Sequence, residues 1–245
     1  MRALIFDVDG TLAETELSHL AAFNATFSAH GLPFHWNAEL YMRLLKVSGG
    51  KERIRAYWQS TDVHQEGPHG GTLDDFIALL HAYKTRLYVE DVGSGKVPLR
   101  AGIIALIEAA EAKGLKLAIA TMTTPENIDA LLTPTLGRSW RKRFAVIGDG
   151  YGAPVKKPDP QVYDLVVSRL ALPVEACLAI EDSHNGLVAA RAAGLECVVT
   201  PSRFTGEDNF DGALQVLPNL GETSLEEMTK IFEARIAARI REDIA

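Results

Sequence analysis

Met1-Arg2-Ala3-Leu4-Ile5-Phe6-Asp7-Val8-Asp9-Gly10-Thr11 opens the chain, and the fold turns on how these residues are read. Ala3 to Phe6 is an unbroken apolar run, the pattern of a strand buried on both faces in a parallel sheet. Two carboxylates follow, two residues apart, ahead of Gly-Thr. An acid at the end of a central strand is costly to bury without a partner. Asp7 and Asp9 therefore make a poor stability element and a good site for a hard cation. Mg²⁺ takes oxygen ligands and is often held by one or two carboxylates plus substrate phosphate. The segment points to phosphoryl chemistry.

Outward from it, apolar runs recur at Leu115-Ala120, Phe144-Ile147, Cys177-Ile180 and Cys197-Thr200. Helical periodicity fits Ile103-Lys113, Pro125-Leu132, Pro160-Leu170 and Ser183-Ala193, with Gly114 and Gly194 as helix-end residues. Strand-helix alternation predicts an α/β fold, a doubly wound parallel-sheet core whose ligands bind beyond the carboxyl ends of the strands. The stretch from Glu16 to Tyr88 breaks the alternation. It reads as helices Leu17-His30, Ala38-Leu45, Lys51-Gln59 and Leu73-Tyr88, separated by breaks such as Ser48-Gly49-Gly50 and His64-Gly71. We therefore expect an all-helical cap domain over residues 16–91, inserted into a core formed by residues 1–15 and 92–245, with linkers at Ala13-Thr15 and Glu90-Pro98. Placed above the strand ends, such a domain would serve as a lid.

Composition bounds the partners. With 245 residues and 47% hydrophobic content the chain can bury a sizeable core, and its net charge is −7. That balance argues against nucleic acid or an anionic membrane as main partner. A phosphorylated small molecule would need a local basic patch. Cys177 and Cys197 sit in apolar runs and read as buried thiols rather than a disulfide. No signal-peptide pattern appears and no apolar run is long enough to span a bilayer, so a cytoplasmic protein is expected. Leu225, Met228, Phe232, Ile236 and Ile240 recur at spacings of three and four, giving an amphipathic C-terminal helix over Ser224-Ile244. It fits packing on the sheet or a dimer contact, so a monomer or a weak homodimer is expected.

Four features at strand ends can converge on one site. Asp7-x-Asp9 offers a nucleophile for phosphorus and a general acid/base. Thr121 ends a strand and is followed by Thr123, and hydroxyl and backbone N–H groups there suit phosphate oxygens. Lys156-Lys157-Pro158 supplies a cation against phosphoryl charge. Glu181-Asp182 would complete a Mg²⁺ shell. The run Gly49-Gly50-Lys51-Glu52-Arg53 pairs exposed backbone N–H groups with two cations, which suits a second, non-reacting phosphate. Gly148-x-Gly150-x-Gly152 lacks a third glycine at the right spacing and a following helix, so it is not a dinucleotide loop. His64 and His69 lie in a Gly-rich loop and are not read as metal ligands. His19 reads as a packing residue or a contact near the domain hinge.

In this order the motifs resemble the haloacid dehalogenase (HAD) superfamily, in particular phosphatases and mutases with a helical cap after the first motif. Leu12-Ala13-Glu14-Thr15-Glu16, Gly49 to Ile54 and Glu181-Asp182-Ser183-His184-Asn185-Gly186 resemble its CbbY-like branch, which acts on sugar bisphosphates; the β-phosphoglucomutase branch is close. The resemblance implies a Mg²⁺-dependent phosphatase working through an aspartyl-phosphate. Asp7 would be nucleophile and metal ligand. Asp9 would be general acid/base and reach the metal by its carbonyl. Asp182 would be a ligand, with Glu181 acting through water. Thr121 and Lys157 would hold the transferring phosphoryl group, and Thr123 would flank it. Lys156 would be a neighbouring surface charge. Glu16 would meet a sugar hydroxyl, and Gly49, Gly50, Lys51 and Arg53 the second phosphate. Xylulose 1,5-bisphosphate is the implied substrate. Alternatives are a β-phosphoglucomutase-type mutase and a phosphatase of another small metabolite such as phosphoglycolate. A non-catalytic binding protein or a dehalogenase fits the intact acid set less well. Met122 departs from the small polar residue expected beside Thr121.

Overall fold

The computed structural model describes residues 1–61 and 71–242. The expected break His64-Gly71, with His64 and His69, lies outside these residues except for Gly71, as does Ile244. Among the described residues six parallel strands form one sheet in the order β3-β2-β1-β4-β5-β6: β1 Ala3–Phe6, β2 Lys116–Ala120, β3 Phe144–Gly148, β4 Cys177–Glu181, β5 Glu196–Val199 and β6 Gln215–Val216. β1 lies between β2 and β4, with Ala3 opposite both Lys116 and Cys177. The strand order reverses direction between β1 and β4, where a doubly wound sheet opens a crevice. The two-residue β6 has no counterpart in the sequence reading, because two residues are too few to show alternation.

The sheet is covered on both faces, so its strands read as continuous apolar runs. Leu4 and Phe6 face one side with Leu117, Ile119 and Ile180, beneath α5 (Ile103–Ala112), α6 (Pro125–Leu136) and α9 (Leu225–Glu242). Ala3 and Ile5 face the other with Ala118 and Ala179, beneath α7 (Gln161–Leu170) and α8 (His184–Ala192). Leu225, Met228 and Phe232 bury α9 on the sheet, while Ile240 is half exposed. Cys177 and Cys197 are buried free thiols. Among the described residues no helix is long and apolar enough to cross a membrane.

Between β1 and α5 the described residues form four helices: α1 Glu16–Ala29, α2 Ala38–Leu44, α3 Gly50–Gln59 and α4 Leu73–Val92. They share an apolar cluster of their own, built on Phe23, Phe27, Phe34, Trp36, Tyr41, Trp58 and Leu80. α4 starts at a capping box, with Thr72 and Asp75 satisfying each other's backbone N–H groups. It runs to Val92, into the stretch read from sequence as linker. The two connections to the sheet run side by side: Ala13 bridges Leu99, and Arg100 N donates to Leu12 O at 2.8 Å. Arg100 clamps this junction. Its guanidinium donates to Gly10 O, to Thr200 O and Pro201 O at 2.7 Å each, and pairs with Glu14 at 3.3 Å.

Candidate active site

A cavity of about 660 Å³ lies between the strand ends and the helical insert. Its lining includes Asp7, Asp9, Thr121, Thr123, Lys157, Glu181 and Asp182 from the sheet side, and Glu16, Gly49, Gly50, Lys51 and Arg53 from the insert. All the residues singled out from sequence thus face one space, although they do not play equivalent parts in it.

On the floor, Asp7 follows β1 and Asp182 follows β4, flanking the point where the strand order reverses. Carboxylate oxygens of Asp7, Glu181 and Asp182 lie within 4.8 Å of one another, and all three side chains are buried. Gly10 makes this approach possible. Its φ is +82°, and a Cβ there would fall 2.1 Å from Asp182 Oδ2. Lys157 Nζ donates to Asp7 Oδ1 at 2.8 Å, Glu181 Oε1 at 2.6 Å and Ala120 O at 3.0 Å. Glu181 also accepts from the Tyr163 hydroxyl at 2.5 Å and from Asp182 N at 3.3 Å, so it is the most fully engaged acid of the three. Three carboxylates against one ammonium leave an excess of buried negative charge. Burial, with Glu181 and Asp9 nearby, raises Asp7 to about 7 against the pull of Lys157. Asp182 is likewise pushed well up, by burial first and then by Asp7 and Glu181. Burial works against the Lys157 ammonium, yet Asp7 and Glu181 raise its pKa. A compact all-oxygen cluster with unneutralised charge fits a hard divalent cation, and Asp7 and Asp182 are the carboxylates placed to hold it.

Thr121 is buried at the end of β2, its hydroxyl accepting from Thr123 N at 3.3 Å. Thr123 accepts from Asn127 at 2.9 Å. The buried Thr124 hydroxyl and Asn127 Oδ1 beside them have no hydrogen-bond partner among the described residues and line the same cavity. Met122 has a use that sequence does not reveal: its sulfur accepts from Lys157 N at 3.4 Å and steadies the lysine loop.

Asp9 is oriented differently, its carboxylate turned toward the insert. Thr15 donates to Oδ1 at 2.6 Å, and His19 Nε2 lies 3.1 Å from the same oxygen. His19 stacks on Tyr88 with ring centroids 4.0 Å apart, and its Nδ1 is 2.5 Å from Lys84 Nζ. With the Lys84 ammonium donating to Nδ1, Nε2 carries a proton and donates to Asp9. Burial disfavours the Asp9 charge, but His19 and Thr15 hold its carboxyl well below the usual range. Burial lowers Lys84 to about 7 despite Asp9 and Glu16. His19, of the two readings open in sequence, is a junction contact. Lys84 and Tyr88 were not legible as site residues, because on α4 they fit an amphipathic pattern and their partners are more than sixty residues away.

On the insert side, Glu16 accepts from the Tyr41 hydroxyl at 2.6 Å. Arg53 is buried, and its guanidinium donates to Leu44 O at 3.2 Å, Val47 O at 3.3 Å and Tyr41 Oη at 3.3 Å. Those three bonds make Arg53 an organiser of the loop before α3, whereas Lys51 is exposed at the cavity wall. The glycine pair has steric reasons of its own. Gly49 adopts φ +93°, and a Cβ on Gly50 would lie 2.6 Å from His81 Nε2. Lys156, expected as a surface charge, reaches this loop, its Cε 3.3 Å from where a Gly49 Cβ would sit. His81 is lowered to about 3, by burial first and then by Lys84 and Lys51, so it is neutral and adds no charge.

This fold and site define a class. The family profile of the haloacid dehalogenase-like hydrolases matches residues 1–194. The chain is 57% identical over 222 residues to the plasmid-encoded protein CbbY of Cupriavidus necator, covering 91% of this chain and 87% of that protein. CbbY of Rhodobacter sphaeroides, solved with phosphate and, as a mutant, with xylulose-(1,5)bisphosphate, superposes with a TM-score of 0.83 at 41% identity, over 91% of this chain and 96% of that one. β-Phosphoglucomutase of Clostridium difficile shares the fold at a TM-score of 0.77 and 19% identity, over 97% and 99% of the two chains. The chain belongs to the haloacid dehalogenase-like hydrolases and, within them, to the CbbY family.

Proposed function

We propose that the protein is a Mg²⁺-dependent phosphatase of a phosphorylated sugar, most directly a sugar bisphosphate such as xylulose 1,5-bisphosphate, and that residues 16–91 act as its cap. The observation that carries this reading is the cavity floor. A buried carboxylate, Asp7, lies 2.8 Å from a lysine ammonium and beside two further acids, open to a space a phosphosugar can fill. A relative crystallised with xylulose-(1,5)bisphosphate supports the substrate class.

In this mechanism Asp7 attacks phosphorus in line and becomes an aspartyl-phosphate. Lys157 and the Thr121 hydroxyl hold the phosphoryl oxygens, with Thr123 at their flank. Mg²⁺ held by Asp7, Asp182 and the Asp9 carbonyl, with Glu181 behind them, would offset charge on the phosphoryl oxygens. Asp9 protonates the departing sugar oxygen. Its proton comes along the line behind it: Lys84 gives one to His19 Nδ1, and His19 Nε2 gives one to Asp9. Asp9 then takes a proton from the water that hydrolyses the aspartyl-phosphate. Glu16 meets a sugar hydroxyl, and Gly49, Gly50 and Lys51 face the second phosphate, with Arg53 fixing their loop.

The test is phosphate release from xylulose 1,5-bisphosphate, ribulose 1,5-bisphosphate, β-glucose 1-phosphate and phosphoglycolate, with Mg²⁺ and with chelator. A Mg²⁺-dependent preference for xylulose 1,5-bisphosphate of about two orders in kcat/KM is expected. Preference for phosphoglycolate, or conversion of β-glucose 1-phosphate to the 6-phosphate without release, would replace this substrate by one of the alternatives.

A further inference from the structure

Asp182 is the floor acid with the fewest partners in its own motif. Its main-chain oxygen and Oδ2 both face one hydroxyl, Thr205 Oγ1, at 2.7 and 3.3 Å. Thr205 belongs to the connection between β5 and β6, far from the sequence motifs. A tight turn shapes this segment. Thr205 N donates to Ser202 O at 3.2 Å, and Ser202 N donates back to Thr205 Oγ1 at 2.9 Å. Arg100 anchors the base of the turn through Thr200 O and Pro201 O, and Arg203 N donates to Glu14 at 3.3 Å.

The residue before Thr205 faces the opposite way. Phe204 is 4% exposed, and its neighbours are not the sheet residues but the aromatic cluster of the insert. Its ring stands edge-on to Tyr41, centroids 5.7 Å apart at 87°. Tyr41 in turn carries Glu16 and Arg53. Adjacent side chains of one short turn thus hold a floor acid and plug the roof. A second core residue grips the insert nearby: Asn185, three positions after Asp182, donates to Lys46 O and Ser48 Oγ at 3.1 Å each.

We propose that Phe204 and Thr205 are positioning residues that couple docking of the helical insert to the placement of Asp182. Undocking the insert would expose a buried phenyl ring, so the turn is most ordered when the insert is down. An ordered turn keeps the Thr205 hydroxyl on Asp182. By reciprocity, a cation that needs Asp182 in place favours the docked insert. The inference rests on the metal-dependent reading above and goes beyond it, because it assigns Phe204 and Thr205, at the cavity edge, a part in placing Asp182.

The experiment is calorimetric titration of Mg²⁺ into the full chain without substrate, for the wild type and for Thr205→Val, Phe204→Ala and Phe204→Leu, with near-ultraviolet circular dichroism of the insert's aromatic residues at each step. Thr205→Val removes the hydroxyl from both Asp182 oxygens and is expected to give about tenfold weaker Mg²⁺ binding. Phe204→Ala is expected to weaken it several-fold although it removes nothing from the floor, Phe204→Leu less so. Mg²⁺ is expected to sharpen the aromatic signal of the wild type but not of Phe204→Ala. Should Phe204→Ala fail to fold, Phe204→Leu decides by the same two readouts. Mg²⁺ affinity within twofold of wild type in the Phe204 variants, with an unchanged aromatic response, overturns the coupling. A wild-type chain that binds no Mg²⁺ overturns it together with the metal reading. Intact coupling in a protein inactive on every sugar phosphate sinks the substrate reading alone.

Discussion

The cavity has a floor made of strand ends and a roof made of helices, and the two are held in different ways. On the floor, buried charges oppose one another at hydrogen-bond distance: Lys157 against Asp7 and Glu181, with Asp182 alongside. On the roof, an aromatic cluster gives shape, and polar groups such as Arg53 are spent on the insert's own backbone. A buried charge site is intolerant of change because removing one partner leaves the other uncompensated. An aromatic cluster held to its neighbour by a few contacts can lift and return. The contrast matches a division of labour in which the floor carries the chemistry and the roof decides what enters.

If that division is right, variants on the floor should cost most. Asp7→Asn is expected to abolish phosphate release, a loss of at least about three orders of magnitude, because the amide cannot accept the phosphoryl group. A steady-state assay checks this, and undiminished hydrolysis would point to a different nucleophile. Lys157→Met should come next. It is expected to lower kcat by about a hundredfold and to cost about 3–5 kcal/mol of stability by stranding Asp7 and Glu181, read from urea unfolding.

The junction between floor and roof should show intermediate effects. Lys84→Met cuts the line to Asp9 through His19 and is expected to lower kcat about tenfold with little change in KM. The same lysine leaves a mark on stability. Its pKa falls from 10.5 unfolded to about 7 folded, so between those values the unfolded chain binds more protons. Stability contributed by this group therefore rises with pH across that window. Denaturation midpoints measured from pH 7 to 10 should lose that upward slope in Lys84→Met. On the roof, Arg53→Lys is expected to have the smallest effect. A single ammonium cannot hold two carbonyls in the fork geometry, and kcat/KM for a bisphosphate should fall about threefold through KM. An unchanged value would favour a substrate without a second phosphate.

The floor was legible in sequence because its residues sit at the ends of continuous apolar runs. Asp7, Thr121 and Asp182 each follow a strand that buries both faces, Glu181 is the last residue of its strand, and parallel pairing brings strand ends to one edge. Roof and junction were not legible in the same way. Lys84, Tyr88 and Tyr41 carry no local signal, since at helical spacing a polar residue facing a distant partner looks like one facing water. Phe204 and Thr205 lie in a connection without periodicity, and Arg100 in a linker, so only the fold reveals what they touch. Arg53 reads from sequence as a cation near a phosphate loop, whereas only the fold shows it turned onto the carbonyls of Leu44 and Val47. β6, at two residues, was below what alternation can show.

The central claim is that the floor acids act with Mg²⁺ through a phosphorylated Asp7. The most direct measurement is rapid quench of the protein with ³²P-labelled xylulose 1,5-bisphosphate and Mg²⁺, followed by acid-stable, hydroxylamine-labile labelling mapped to the peptide containing residues 3–12. Label on that peptide, absent with chelator and absent in Asp7→Asn, is the result the account predicts. Phosphate release at full rate with no label on the wild-type peptide, or with label persisting in Asp7→Asn, would contradict it.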